Sequence, residues 1–192
     1  MQTANIILTG MMGAGKTTIG KELAQKLDKE FIDLDDVVEK RAGATIQELF
    51  GCYGETHFRD RETKALKDVL RKTNQVIATG GGVVIREENR SLIQNHPTIW
   101  LALDSNTAAE RLVFDGTRPL LEPIVASSDT EEDREQGMAR WRKLEKERRW
   151  AYSLCDWVVC VDKSKAMIVD EIMAWWRHCQ TMETKENMGH PW

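Results

Sequence analysis

Gly10-Met11-Met12-Gly13-Ala14-Gly15-Lys16-Thr17 is the stretch that decides the fold. It satisfies G-x-x-x-x-G-K-[ST] throughout, follows the apolar run Ile6-Ile7-Leu8 and opens an amphipathic stretch predicted as a helix over 16–27. The glycines let the backbone curl, so that successive N–H groups converge on phosphate oxygens. The start of the helix adds the positive end of its dipole. Lys16 can reach the β- and γ-phosphates, and the Thr17 hydroxyl stands where Mg²⁺ is ligated. A turn that merely joined strand to helix would need neither side chain. A nucleoside triphosphate is therefore the expected ligand.

Outward from this loop, short apolar runs alternate with longer amphipathic stretches, the rhythm of a parallel sheet covered by helices. Strands are predicted over 5–9, 30–33, 75–79, 98–103 and 157–161. Several read as continuous apolar runs, as strands covered on both faces do. Helices are predicted over 16–27, 36–42, 46–52, 56–72, 87–95, 106–114, 130–152 and 165–178. Thr45-Ile46-Gln47-Glu48 has capping-box spacing, which marks a helix start. The proline-containing segment 115–128 reads as a loop, and the polar residues from Thr181 onward as a frayed end.

At 192 residues, 41% of them apolar, the chain suits one compact domain. Its 27 basic and 31 acidic side chains leave a net charge of −4, which gives no argument for nucleic acid or an anionic membrane as partner. No run approaches the roughly eighteen apolar residues of a bilayer span. Met1-Gln2-Thr3-Ala4-Asn5 lacks the positive region of a secretory signal. Cys52, Cys155, Cys160 and Cys179 form no paired C-x-x-C, so reduced thiols in a cytoplasmic protein are expected rather than a zinc site or a disulfide framework.

A triphosphate loop alone does not separate a motor, a switch and a small-molecule kinase, but this length leaves little room for transducing modules. An acceptor site must then come from the rest of the chain. Asp33-Leu34-Asp35 closes the second predicted strand, at the edge where open parallel sheets collect ligands. If strand geometry persists, Asp33 and Asp35 share a face; alternatively Asp35 and Asp36 cap the next helix. Arg59 and Glu62 stand three apart on a helix, within ion-pair reach. By spacing alone this is a surface pair worth under about 1 kcal/mol, although a guanidinium so oriented can also read a carboxylate bidentately.

Gly80-Gly81-Gly82 follows the third strand directly, and a plain turn rarely needs three glycines. Thr79 before them can hydrogen-bond a metal-bound water. Arg118, in the proline-containing loop, is either a solvated arginine or one that closes over a transferring phosphate. In the helix predicted over 130–152, Met138, Trp141, Leu144 and Ala151 share one helical stripe. Arg148 falls near its middle and Arg149 about 100° away. An inward arginine needs an anionic partner, in the protein or in a ligand.

Taken together, GMMGAGKTT at 10–18, DLDD at 33–36, FRDRE at 58–62, GGG at 80–82, RPLL at 118–121 and R-x-x-x-Y at 148–152 resemble the shikimate kinase family. The resemblance runs from about residue 5 to 161, in order. It implies an α/β fold of the P-loop NTPase type, three-layered, with a five-stranded parallel sheet flanked by helices, a lid and a substrate-binding helical region. It implies one domain over 1–178 with the lid at about 114–128, and a flexible polar tail over 179–192.

The implied activity is transfer of the ATP γ-phosphate to the 3-hydroxyl of shikimate in chorismate and aromatic amino acid biosynthesis, by a cytoplasmic monomer with no nucleic acid or membrane partner. By resemblance Gly13, Ala14, Gly15, Lys16, Thr17, Thr18, Arg111 and Arg118 bind ATP, with Arg111 flanking the adenine. Asp35, Arg59, Gly80, Gly81, Gly82 and Arg148 bind shikimate, and Lys16, Asp35 and Arg118 are catalytic. Thr17 ligates Mg²⁺, with Asp33 acting through water. The span from Arg118 to Arg148 is longer than the family's, and Trp150-Ala151 stands where the family commonly has proline. Two other readings are a kinase for another hydroxy acid such as gluconate, and a catalytically silent nucleotide-binding module. The combined acidic, arginine and glycine motifs count against the first, and the presence of Lys16 and Asp35 against the second.

Overall fold

The computed structural model describes residues 4–112 and 131–188. Five strands, β1 (Ile6–Thr9), β2 (Glu30–Asp33), β3 (Gln75–Ala78), β4 (Thr98–Ala102) and β5 (Trp157–Cys160), form one sheet in the order β2-β3-β1-β4-β5. Every pairing is parallel; Ile7 of β1 sits beside Ile77 on one side and Thr98 on the other. The flanking helices are α1 (Lys16–Leu27), α2 (Leu34–Ala42), α3 (Ile46–Val69), α4 (Glu87–Ile93), α5 (Ser105–Leu112), α6 (Glu131–Tyr152) and α7 (Lys165–Met188).

The central strands are apolar along most of their length because both of their faces are covered. Ile6, Ile7, Leu8, Val76, Ile77, Ile99 and Leu101 are all sealed from solvent. At the edge, Trp157, Val158 and Cys160 of β5 are exposed and only Val159 of that strand is buried. Asn5 aligns the strand starts: its amide donates to the Lys72 carbonyl and its side-chain oxygen accepts the Gln75 N–H. On the faces, α1 packs on β2, β3 and α7, and α2 packs on α3. No described helix is long and apolar enough to cross a membrane. The four cysteines are free thiols.

Five details depart from the sequence reading. Strand β2 passes into α2 at Leu34 without a loop, so strand geometry does not persist to Asp35. Asp33, rather than Asp35 or Asp36, is the N-cap, its carboxylate accepting the Asp35 N–H at 3.1 Å. The two helices predicted over 46–52 and 56–72 are continuous except at Gly54, whose φ of 78° and ψ of 171° kink the axis. A short 3₁₀ turn, Val83–Ile85, follows the three glycines. Helix α7 runs through position 178 to Met188, since neither glycine nor proline interrupts it before Gly189. The box at Thr45 is as predicted, with Glu48 N–H on the Thr45 hydroxyl and the Glu48 carboxylate on Thr45 N–H.

Gly10 joins β1 to the phosphate loop at φ 136°, where an L side chain is strained, and a Cβ there would stand 2.5 Å from the Leu101 carbonyl oxygen of β4. The obstacle is backbone and cannot swing aside. Gly10→Ala is expected to destabilise the ligand-free protein by roughly 2–4 kcal/mol through combined strain and overpacking. Urea unfolding checks this, and a loss below about 1 kcal/mol would show that the loop relaxes around the methyl group.

Candidate active site

A cleft of about 710 Å³ opens at the carboxyl ends of β1, β2 and β3, the edge where open α/β sheets place their ligands. One wall is the phosphate loop, with Gly13, Gly15, Lys16, Thr17 and Thr18 lining the cleft; Ala14 is buried beneath it. The Lys16 ammonium donates to the Gly10 and Met11 carbonyls at 2.8 and 3.0 Å, so the loop holds its own cation in place. The Thr17 hydroxyl donates to Asp33 Oδ2 at 2.7 Å, while Oδ1 of the same carboxylate caps α2. Asp33 therefore ties the end of β2 to the start of α1. A hydroxyl and a carboxylate oxygen set side by side are the hard donors that Mg²⁺ accepts, with phosphate oxygens and waters filling the other positions. Among the described residues no cluster of three or more acidic, histidine or cysteine side chains offers an all-protein metal site.

The opposite wall carries buried charge. Arg59 is 6% exposed, Glu62 0% and Arg148 5%. Arg59 Nη1 donates to both Glu62 oxygens at 3.0 and 2.9 Å, and its Nε and Nη2 to Glu55 Oε1 at 3.2 and 3.1 Å. The rings of Phe58 and Phe50 lie 5.1 and 6.0 Å from its Cζ. Desolvation works against the Arg59 charge, but Glu62 and Glu55 outweigh it and raise the guanidinium's pKa above the ordinary value. Desolvation also pushes the Glu62 carboxyl up, with Arg59, then Arg148 and Arg86, pulling it back. The reading of Arg59–Glu62 as a surface pair is thus overturned: the short helical spacing was right, but the face on which it lies is the protein interior.

The glycines leave room for these side chains. A Cβ at Gly82 would fall on the Arg59 guanidinium, and one at Gly80 would meet Asp35 Oδ1 at 2.7 Å and Glu62 Oε1 at 2.8 Å. Asp35, in the first turn of α2, thereby faces the same short backbone segment as Glu62. From α6, Arg148 Nη1 donates to the Gly81 carbonyl at 3.4 Å, and the Tyr152 hydroxyl donates to the same oxygen. Burial pushes the Tyr152 phenol up to about 12, with Arg148 opposing. Trp141 Nε1 donates to the Met12 carbonyl at 3.3 Å. Arg149 points outward to Glu145 at 2.7 Å, as its position off the stripe predicts.

The structure thus brings Lys16, Thr17, Thr18, Asp33, Asp35, Arg59, the three glycines and Arg148 around one cleft. Arg111 stands beside the loop rather than in the cleft, donating to the Gly13 carbonyl at 3.3 Å and to Val161 at 2.6 Å. Arg118 and the expected lid lie outside the described residues. Thr79 also lines the cleft, with its hydroxyl proton committed to the Leu8 carbonyl at 3.0 Å. Sequence reasoning did not assign Glu55, Tyr152, Trp141 or Phe50 to the site. Glu55 precedes Arg59 by one helical turn, a signal that was available. The partners of Trp141 and Tyr152 are carbonyls remote in the chain, which no spacing reveals.

Comparison with known proteins agrees with this geometry. A family model described as shikimate kinase matches residues 12–177. A shikimate kinase of Rippkaea orientalis is 39% identical over 175 residues, covering 90% of this chain and 88% of its own. The solved structure of shikimate kinase from Acinetobacter baumannii in complex with shikimate superimposes with a TM-score of 0.81 at 31% identity, covering 92% of this chain and 94% of that one. A gluconokinase from Sinorhizobium meliloti 1021 gives a TM-score of 0.61 at 15% identity over 95% of this chain and 97% of its own, a likeness of fold alone. With a phosphate loop, an acidic helix start and two buried arginines converging on one cleft, and with the family model spanning most of the sequence, the chain belongs to the shikimate kinase family.

Proposed function

We propose that this chain transfers the γ-phosphoryl group of ATP to the 3-hydroxyl of shikimate, releasing shikimate 3-phosphate and ADP. The observation that carries the reading is a single cleft with a phosphate-binding loop on one wall and, on the other, the Asp35 carboxylate with two buried arginines. A polyhydroxy acid needs an acceptor for its hydroxyls and planar donors for its carboxylate, and Asp35 with Arg59 and Arg148 is that set. In this reading the Gly80, Gly81 and Gly82 backbone lies against the substrate.

Gly13, Ala14, Gly15 and Thr18 help to form the loop around the ATP phosphates, and Arg111, anchored beside Gly13, flanks the adenine. Lys16 leaves its loop carbonyls for the β- and γ-phosphates, and Arg118 joins it on the transferring group from a lid at about 114–128. Asp35 accepts the hydrogen bond of the reacting hydroxyl and sets it in line. Mg²⁺ would be held by Thr17, with Asp33 acting through water, and when bound it neutralises phosphate charge. Phosphoryl transfer then depends on alignment and electrostatics rather than on covalent chemistry by the protein. The proposal describes one catalytic domain over 1–178, monomeric and cytoplasmic, with shikimate and ATP as ligands and neither nucleic acid nor membrane as partner.

ADP release from Mg-ATP is expected to rise strongly with shikimate and not with gluconate; equal stimulation by both, or by neither, would sink the assignment. Asp35→Asn is expected to lower turnover by about 10²-fold or more, the scale of a lost acid–base or positioning group. ATP binding, followed by calorimetry, should stay within about twofold of the unsubstituted protein.

Glu62 gives a pH signature. A carboxyl whose native pKa is raised stabilises the fold fully below its unfolded value, near about 4.3, and that contribution is lost as pH rises through the native value. Urea unfolding across this window should therefore show stability falling with pH more steeply in the unsubstituted protein than in Glu62→Gln. The opposite difference in slope would mean that Arg59 holds Glu62 ionised throughout.

A further inference from the structure

Helix α6 reaches two glycine loops with three donors. Trp141 Nε1 takes the Met12 carbonyl, and Arg148 Nη1 and the Tyr152 hydroxyl share the Gly81 carbonyl. Trp141 and Tyr152 are almost wholly buried, at 2% and 1% exposure, so neither donor has water as an alternative. The Tyr152 ring is further held by stacking on Trp100 at 5.8 Å between centroids and by Met11 Sδ at 3.4 Å from its hydroxyl.

The two acceptors have a common consequence. The Met12 oxygen belongs to the peptide unit that carries the Gly13 N–H, and the Gly81 oxygen to the unit that carries the Gly82 N–H. In a planar trans peptide the C=O and the following N–H point in opposite directions. Anchoring each oxygen on α6 therefore aims each N–H away from α6. Met12, Gly13, Gly81 and Gly82 all line the cleft. The loops also abut: a Cβ on Gly81 would stand 3.5 Å from the Gly10 oxygen and 3.6 Å from the Met12 nitrogen. Glycine peptides rotate easily, so planes left untied would sample other orientations.

We propose that Trp141 and Tyr152 are positioning residues that fix the Met12–Gly13 and Gly81–Gly82 peptide planes, so that one helix aligns the nucleotide cradle with the acceptor cradle. The inference rests on the reading that a triphosphate occupies the first loop and the acceptor acid the second. Neither side chain need touch a substrate; each acts through an N–H on the far side of the peptide it holds. Polarising the carbonyl also strengthens that N–H as a donor, because linked hydrogen bonds reinforce one another. Tyrosine suits the post because its buried phenol keeps its proton at working pH and remains a donor.

The test is a steady-state comparison of Tyr152→Phe and Trp141→Phe with the unsubstituted protein, with KM for each substrate and kcat measured separately. Tyr152→Phe deletes one oxygen and is expected to raise the KM for shikimate about 5–20-fold, leaving the KM for ATP within about twofold. Trp141→Phe is expected to show the converse, with the larger rise for ATP, and kcat should fall in both. A merely structural role would move both KM values together along with the unfolding midpoint, and that pattern, or no change in either variant, overturns the proposal. If Trp141→Phe does not fold, the selectivity of Tyr152→Phe decides alone. If the unsubstituted protein fails to turn over shikimate, the acceptor reading fails instead. The ATP dissociation constant of Trp141→Phe by calorimetry then decides the nucleotide half by itself: about a fivefold weakening sustains it, and an unchanged value overturns it.

Discussion

A parallel sheet delivers the carboxyl ends of all its strands to one edge, and everything chemical in this molecule depends on that constraint. Strand β1 is paired on both sides and lies third in the order, so the loop that leaves it has neighbours on either hand. On one side β3 ends at Ala78 and is followed by Thr79 and three glycines, and beyond it β2 ends in Asp33. On the other, Leu101 of β4 stands against Gly10. Segments far apart in the chain thus become walls of one cleft, and the Thr17–Asp33 and Thr79–Leu8 hydrogen bonds join them. An antiparallel sheet would send alternate strand ends to the opposite edge and separate the walls.

Charge on the second wall is mutually dependent. Burying Arg59, Glu62 and Arg148 in one region is costly unless each is compensated, and here they compensate one another, with Glu55 as a further partner of Arg59 from a more exposed position. The hydrogen bonds hold the Arg59 guanidinium in one plane, against the space that Gly82 leaves open. Pre-set donors lose little freedom when a ligand arrives, which favours selectivity for a planar anion over general attraction to negative charge. The fold accepts a buried polar network in place of an apolar core here because its charges are paired with one another.

How much of this was legible in the sequence follows from how local each feature is. The phosphate loop, the capping box at Thr45 and the inward stripe of α6 are local patterns, and each appears in the structure where the residues predicted it. Asp33 as cap is not legible, because Asp35 and Asp36 also qualify by residue type and only the immediate passage from strand to helix at Leu34 moves the cap to Asp33. The Arg59–Glu62 pair has a visible spacing but an invisible depth, since helical periodicity around the Gly54 kink does not say which face meets α2, α4 and the turn after the three glycines. The carbonyl partners of Trp141, Arg148 and Tyr152 are set by tertiary approach alone. The site was therefore readable as a list of residue types, and its walls were not.

The kink at Gly54 has a thermodynamic side. Nothing lies within 4 Å of where its Cβ would be, so space does not require glycine there; the φ of 78° does. Glycine has the largest entropy to lose on folding, and in a helix it costs about 1 kcal/mol against alanine. Alanine, though, would favour a straight continuation of α3 and would carry Phe50, Gln47 and Ile46 away from the cleft they line. At this one residue the chain gives up stability in its longest ordered wall to keep the mouth of the cleft at a usable angle. An alanine held at this φ would be strained, so any selection that keeps the bend, for turnover or for heat resistance alike, keeps the glycine.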